Sequence, residues 1–435
     1  MTITEAFEAS FAGAVDELAF AYREVPFYGP HLDAAGVRPA QVRSPADFRR
    51  VPATTKADYR RNFPAGVLVR GTKLADEFVF RSRSSGTTGE RLVTLAHTFT
   101  LAERQLRTTA VHPGMLAVFA GAREQRVCRY APPACSDVEC ATPFTTPETR
   151  TLPDGTLVLP VAHDLLATGP ELVGQAIREL TEHRPHWLYA DPAHLAFLLD
   201  AMRERGLPPP EAAGVVLAYN LATGAALRRI RDHLPAGTVV VEVASMSELG
   251  WLGMTCPDGF LHLNTESFYL ELLRYGTDHP AGPGELAELY ATSIGDQLSP
   301  HIRYRTGDGY VLLEGTCRCG NAAPRVVHHG RCADYLEVAG EVVLTPRILD
   351  ELVGPAEWLT FYKLTHRESG PLLLRYVPVP GTAHREHAAT LAAAIGDRTG
   401  REVAVSAVDY IESERSGKLF GCVRAVHSGE SGVPV

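Results

Sequence analysis

The sequence predicts a two-domain α/β protein, on three observations. Its 435 residues exceed what one hydrophobic core usually serves. Short β-rich runs alternate with helix-patterned segments through the middle of the chain, the signature of α/β layers around a largely parallel sheet. A shorter stretch beyond residue 333 carries strand and helix patterns of its own, enough for a small α+β unit.

Taken in order, Phe7, Phe11, Val15, Leu18 and Tyr22 recur at three- and four-residue steps, which places them on one face of a helix over 5–23. Pro26-Phe27-Tyr28-Gly29-Pro30 breaks that helix. Ser44-Pro45-Ala46-Asp47-Phe48 has the form of a capped helix start. Phe78-Val79-Phe80-Arg81 reads as a short strand that runs into small hydroxylated residues and glycine. Gly214–Tyr219, Ala226–Leu234 and Thr238–Val243 form a strand–helix–strand unit. Past residue 333, apolar runs at Pro371–Val377 and Glu402–Val408 are strand candidates, and Gly429–Val435 is expected to fray.

Apolar residues make up 45% and charged residues 21% of the chain, as in an ordinary globular protein. The net charge of −9 offers no electrostatic footprint for nucleic acid or an anionic membrane, so any anion site must be built locally. No apolar run approaches the roughly 18 residues of a membrane-spanning helix. Met1–Ala6 lacks the basic-then-apolar pattern of a secretory signal, so the expected compartment is the cytoplasm. The expected partners are small molecules, with neither nucleic acid nor membrane; a homodimer is compatible with this reading. In that setting the eight cysteines are better explained by metal binding or burial than by disulfides.

The most informative stretch is Ser84-Ser85-Gly86-Thr87-Thr88-Gly89. Backbone N–H groups and short hydroxyls can cradle a polyphosphate, and glycine lets the backbone approach it closely. The spacing is not that of a Walker loop, and no lysine follows. Further blocks accompany it. These are Val25-Pro26-Phe27-Tyr28, Phe48–Lys56, Gly284-Glu285-Leu286 with Pro300–Asp308, Gly330-Arg331 with Asp334, and Ser416-Gly417-Lys418-Leu419. Together and in this order they resemble the phenylacetate–CoA ligase-like branch of the adenylate-forming superfamily of acyl-CoA synthetases, adenylation domains and luciferases. The resemblance covers nearly the whole chain. It implies a large N-terminal ATP- and acid-binding domain over 1–333, with mixed sheets and helices, and a small mobile C-terminal domain over 334–435.

The resemblance also implies roles. Ser84–Gly89 would close over the β- and γ-phosphates of ATP, with Ser245, Met246 and Ser247 beside the nucleotide. Asp308 would accept from the ribose hydroxyls, and Arg331 would contact ribose or phosphate. Glu248, in Ala244-Ser245-Met246-Ser247-Glu248, would hold Mg2+ against the phosphates. Lys418 would bridge the carboxylate and the α-phosphate during adenylation, and Asp334 would be the hinge. The pattern departs at Ala244 and Ser245, where the family carries Tyr-Gly, and at Glu90-Arg91, where it carries Lys-Pro. It departs again at Thr223-Gly224, where many relatives carry Gly-Glu. These departures fit either a specialised member or a non-catalytic nucleotide-binding descendant.

Cys256-x5-His262 with Cys317-x-Cys319 form a second constellation. Three thiolates and an imidazole are a preferred tetrahedral set for zinc, and with four ligands the site would be structural. A similar arrangement occurs in a subset of the family, and here it would form an insertion over about 256–319. Cys332 and Cys422 read as buried small hydrophobes. Residues 128–147 occupy the region that lines the acid pocket in the family, with Tyr130, Phe144, Ala244 and Met246 as candidate walls. His301 is either a polar substrate contact or without a role. The implied reaction joins a carboxylic acid, aromatic or similar, to AMP with loss of pyrophosphate, then transfers the acyl group to CoA. Two alternatives stay open: transfer to an amine, and activation of nitrite for diazotisation of an aryl amine.

Overall fold

The computed structural model describes residues 10–75, 78–83, 92–121, 125–133 and 145–425. The Ser84–Gly89 loop, the Glu90-Arg91 pair and Phe144 lie outside the described residues. The N-terminal helix runs Phe11–Glu24, and the predicted cap at Ser44 is present, its hydroxyl accepting from the Asp47 amide at 3.2 Å. Strands β1 (Val79–Arg83) and β2 (Val93–His97) pair antiparallel, and the Ser84–Gly89 segment falls between them in sequence.

The main sheet has eleven strands: β3 (Val127–Tyr130), β4 (Leu157–Val158), β5 (Trp187–Ala190), β6 (Gly214–Leu217), β7 (Val239–Met246), β8 (Gly250–Thr255), β9 (Leu261–Leu263), β10 (Phe268–Arg274), β11 (Leu286–Ser293), β12 (Tyr304–Leu312) and β13 (Arg325–Arg331). Their order is β10-β11-β12-β13-β9-β8-β7-β6-β5-β3-β4. From β4 to β7 the pairing is parallel, as the strand–helix–strand pattern predicts. From β7 to β10 it is antiparallel, so the sheet is mixed rather than largely parallel. The connections explain the change. A parallel crossover needs a dozen or more residues, generally a helix. No helix separates any of the strands β7 to β13.

Helices Pro170–His183, Pro192–Glu204 and Gly224–His233 cover one face of the parallel half, packing on Leu188, Val215 and Leu217. On the other face, Tyr189, Val216, Val241 and Trp251 form a separate cluster, with helix Thr98–Thr109 beside β8. After the short pair β14 (Leu336–Val338) and β15 (Glu341–Leu344) comes a four-stranded sheet. It comprises β16 (Leu359–His366), β17 (Leu372–Pro378), β18 (Val403–Ala407) and β19 (Cys422–Arg424), ordered β18-β17-β16-β19. Helices Pro346–Val353 and His384–Thr399 share its core through Leu349, Leu364, Leu374, Leu391 and Ile395. The architecture is therefore α/β with a small α+β unit at the C-terminal end. Among the described residues no helix is long and apolar enough to cross a membrane.

Candidate active site

Two cavities, each of about 360 Å3, lie where β6 and β7 end, the usual binding edge of an α/β sheet. They share Tyr219, Ser245, Arg331 and Lys418.

The first cavity is bounded by Asp308, Arg331, Ala244, Asp334 and Tyr310. Asp308 and Arg331 are register partners in the β12–β13 ladder. Burial works against the Asp308 carboxylate, but Arg331, His328 and Lys418 outweigh it and hold its pKa below the usual value. Burial pushes the Asp334 carboxyl up to about 6. Asp334 ends the single turn Cys332–Asp334 that leads out of β13, and its carbonyl accepts from His366 Nε2 at 3.0 Å.

The second cavity is bounded by Met246, Ser247, Glu248, Lys56, Arg129 and Trp251, among others. Glu248 is buried. It accepts from the Tyr304 hydroxyl at 3.1 Å and lies 3.5 Å from Lys56 Nζ. Burial lowers the pKa of Lys56, and Glu248 pulls it partly back. Lys56, Arg129, Arg305, Arg331 and Lys418 all line this cavity, against Glu248 as the one carboxylate among the described residues. That excess of positive charge is suited to a polyanion. Ser82 of β1, which leads toward the Ser84–Gly89 segment, also lines it.

Lys418 stands at the junction. It is buried, and its ammonium donates to the carbonyl of Tyr219. Asn220 Nδ2 donates to the Leu419 carbonyl at 2.7 Å, docking the same loop on the turn after β6. Gly417 has φ +77°, and a Cβ there would meet the His163 carbonyl at 3.0 Å, so the loop needs glycine to approach this closely. Asp164 holds the loop's other arm through the Tyr410 hydroxyl and, at 3.3 Å, the Ser413 hydroxyl.

Of the residues singled out in sequence, Ala244, Ser245, Met246, Ser247, Glu248, Asp308, Arg331, Asp334 and Lys418 gather on the two cavities. Tyr130 is a correction. It is 2% exposed, belongs to the helix-side core and packs edge-on to His194, away from both cavities. Strand alternation is the reason: Tyr130 and Arg129 face opposite sides of β3, and it is Arg129 that reaches the second cavity. His301 lines neither cavity. It is buried and stacked on Tyr59 at 4.3 Å, and burial lowers its pKa to about 4. Lys56 and Tyr219 carry no role in the sequence reading. The cap at Thr55 marks Lys56 as the first residue of helix Lys56–Asn62, but nothing local shows that this end faces Glu248. Cys422 is buried as expected, whereas Cys332 is only partly so, though desolvation still pushes its thiol up to about 12.

Cys256, His262, Cys317 and Cys319 also converge, with ligand atoms all within 4.8 Å of one another. Cys256 Sγ is 3.7 Å from Cys317 Sγ, and His262 Nε2 is 3.5 Å from Cys319 Sγ. His262 Nδ1 binds the Ala323 carbonyl at 2.8 Å, which leaves Nε2 for a metal, the arrangement metal-ligating histidines adopt. The donor set suits zinc.

No family model matches the chain. It is 25% identical over 376 residues to the phenylacetate-coenzyme A ligase of Thermus thermophilus, covering 82% of this chain and 77% of that protein. It is 27% identical over 339 residues to the phenylacetate-coenzyme A ligase of Aromatoleum evansii, covering 77% of this chain and 72% of that protein. Among solved structures, 2-hydroxyisobutyryl-CoA ligase in the postadenylation state, in complex with 2-HIB-AMP, superposes with a TM-score of 0.71 at 19% identity. The match covers 95% of this chain and 89% of that one.

Proposed function

We propose, from the premise that this chain is a relative of the phenylacetate–CoA ligases of the adenylate-forming superfamily, that it is an ATP-dependent acid–CoA ligase. One observation carries the reading: Lys418 reaches both cavities, with the Asp308–Arg331 pair on one side and the cation-rich second cavity on the other.

In this reading the first cavity takes the adenosine of ATP and the second takes the acid. The phosphates lie between them, on the side of the second cavity lined by Lys56 and Glu248. Attack of a carboxylate on phosphorus brings two anions together, so the protein's task is neutralisation and positioning. A carboxylate oxygen bonds to the α-phosphorus and pyrophosphate leaves. Lys418 spans the carboxylate and α-phosphate oxygens, and Arg331 supports the same charge. Asp308 accepts from the ribose hydroxyls. Glu248, the buried carboxylate of the second cavity, is the Mg2+ ligand, with Lys56 balancing its charge when no cation is bound. In the second step the CoA thiol gives up its proton to solvent, its sulfur bonds to the acyl carbon, and the bond from that carbon to the AMP oxygen breaks, so that AMP leaves. The chain divides near residue 333, and the unit beyond it turns about Asp334 to remove Lys418 between the two steps. Zinc is proposed for the Cys256, His262, Cys317 and Cys319 cluster, where it would tie the β12–β13 connection to β9 and the turn before it.

The test is pyrophosphate exchange with a panel of aryl and alkyl acids, followed by thioester formation with CoA. Acid-dependent exchange with CoA thioester as product supports the ligase. Product that forms only with an amine reassigns the second step, and exchange that requires nitrite, with product from an aryl amine, reassigns the activated acid as well. ATP binding without exchange would mark a non-catalytic descendant.

A further inference from the structure

The backbone at Tyr219 has φ +71°, in the left-handed region where glycine is at ease and a bulky residue is an outlier. A tyrosine held there against its own backbone preference points to a use for the side chain. The ring stands edge-on to Tyr189, centroids 5.2 Å apart at 68°. Tyr189 stacks on Trp251 and carries the Arg129 guanidinium 5.0 Å above its own ring. Tyr189, Trp251 and Arg129 line the second cavity, and Tyr219 lines both. Its ring thus completes the aromatic wall at the point where the two cavities meet. Its carbonyl, in the same residue, accepts from Lys418.

We propose that Tyr219 is a specificity-determining residue, whose ring restricts the acid to one that is flat and unbranched next to its carboxylate. This rests on the ligase reading, in which the reacting carboxylate is held at Lys418. A carboxylate there lies within one side chain's length of the Tyr219 ring. The ring therefore meets the carbons adjoining the carboxyl group, and the far end of the acid meets Tyr189, Trp251 and Arg129. An aryl or unbranched arylalkyl acid lies flat along this wall, whereas a branch beside the carboxyl group collides with it.

The experiment compares Tyr219→Phe, Tyr219→Ala and Tyr219→Gly with the parent, using acids paired with and without a methyl group beside the carboxylate. The readout is the ratio of kcat/KM values in pyrophosphate exchange, branched over unbranched. The ratio is expected to rise about tenfold or more in the Ala and Gly proteins and to stay at the parent value in Tyr219→Phe. Tyr219→Gly is expected to melt above Tyr219→Ala, the reverse of the usual order, because only glycine suits φ +71°. A working parent whose acid ratio stays within about twofold in both truncated proteins overturns the assignment alone. An alanine protein that melts above the glycine protein overturns the claim that the ring is held against the backbone. A parent that exchanges pyrophosphate with no acid overturns the ligase reading, and this assignment with it.

Discussion

Asp308 and Arg331 face each other across the β12–β13 ladder, and their side chains meet at the rim of the first cavity, Arg331 Nε 3.0 Å from Asp308 Oδ1. The pair keeps the carboxylate ionised while it is nearly buried, the state in which a carboxylate can accept from two hydroxyl groups. Asp308→Asn keeps the shape but turns one acceptor into a donor. ATP affinity, measured by calorimetry, is expected to weaken by roughly tenfold or more. An unchanged affinity would remove Asp308 from the nucleotide site.

Lys418→Ala separates binding from chemistry. If the ammonium acts where charge moves between carboxylate and α-phosphate, pyrophosphate exchange is expected to drop by about two to three orders of magnitude. ATP affinity should stay within about threefold, since the ground-state contacts lie with other residues. Exchange at the parent rate would refute the assigned role.

Asp164 touches neither cavity, yet it holds the Tyr410–Ser413 arm of the loop that ends at Lys418. Asp164→Ala is expected to slow adenylation roughly tenfold by loosening that arm. Thioester formation from supplied acyl-adenylate and CoA should proceed as in the parent. Equal losses in both half-reactions would show general damage instead.

Glu17 gives the fold a pH dependence of defined sign. It accepts from Ser293 Oγ, Gly295 N and Asp296 N, while burial, then the charge of Asp296, raises its pKa from 4.5 to about 7. Between those values the folded chain keeps a proton that the unfolded chain has lost. Its contribution is full below about pH 4.5 and is lost as pH rises through about 7, by roughly 3 kcal/mol at most. Urea titrations at about pH 5 and pH 8 should show this fall in the parent and a flatter profile in Glu17→Gln. Identical slopes would argue against a protonated Glu17.

For the sulfur–imidazole cluster, metal analysis of protein purified without chelator should return about one zinc per chain. Cys317→Ser should lose the metal and lower Tm, and a strong chelator should lower Tm in the parent alone. A parent with no bound metal and a Tm indifferent to chelator would leave the four residues as plain packing.

Much of the site's vocabulary is local and was legible along the chain. The cap at Ser44, the strand running into the hydroxyl–glycine stretch, and the Cys-x-Cys knuckle depend on neighbours a few residues apart. Strand alternation in β3 would have separated Arg129 from Tyr130, had the buried face been known. The strand–helix–strand pattern alone points to a largely parallel sheet because the helices between β3 and β7 are conspicuous, whereas an antiparallel meander announces itself only through short connections. The mixed sheet implied by the family resemblance is the one the fold has.

By itself, then, the sequence determined residue chemistry, element type and the order of its motifs. These follow from short-range sterics, periodicity and capping, which act within a few turns of chain. The tertiary structure alone decided that Lys56 meets Glu248, that Asp164 secures the lysine loop, and that Tyr219 sits in a left-handed turn beneath Lys418. Those contacts join residues up to 249 positions apart. They are set by sheet register and by the docking of the C-terminal sheet, sums of many weak long-range terms that no local stretch encodes.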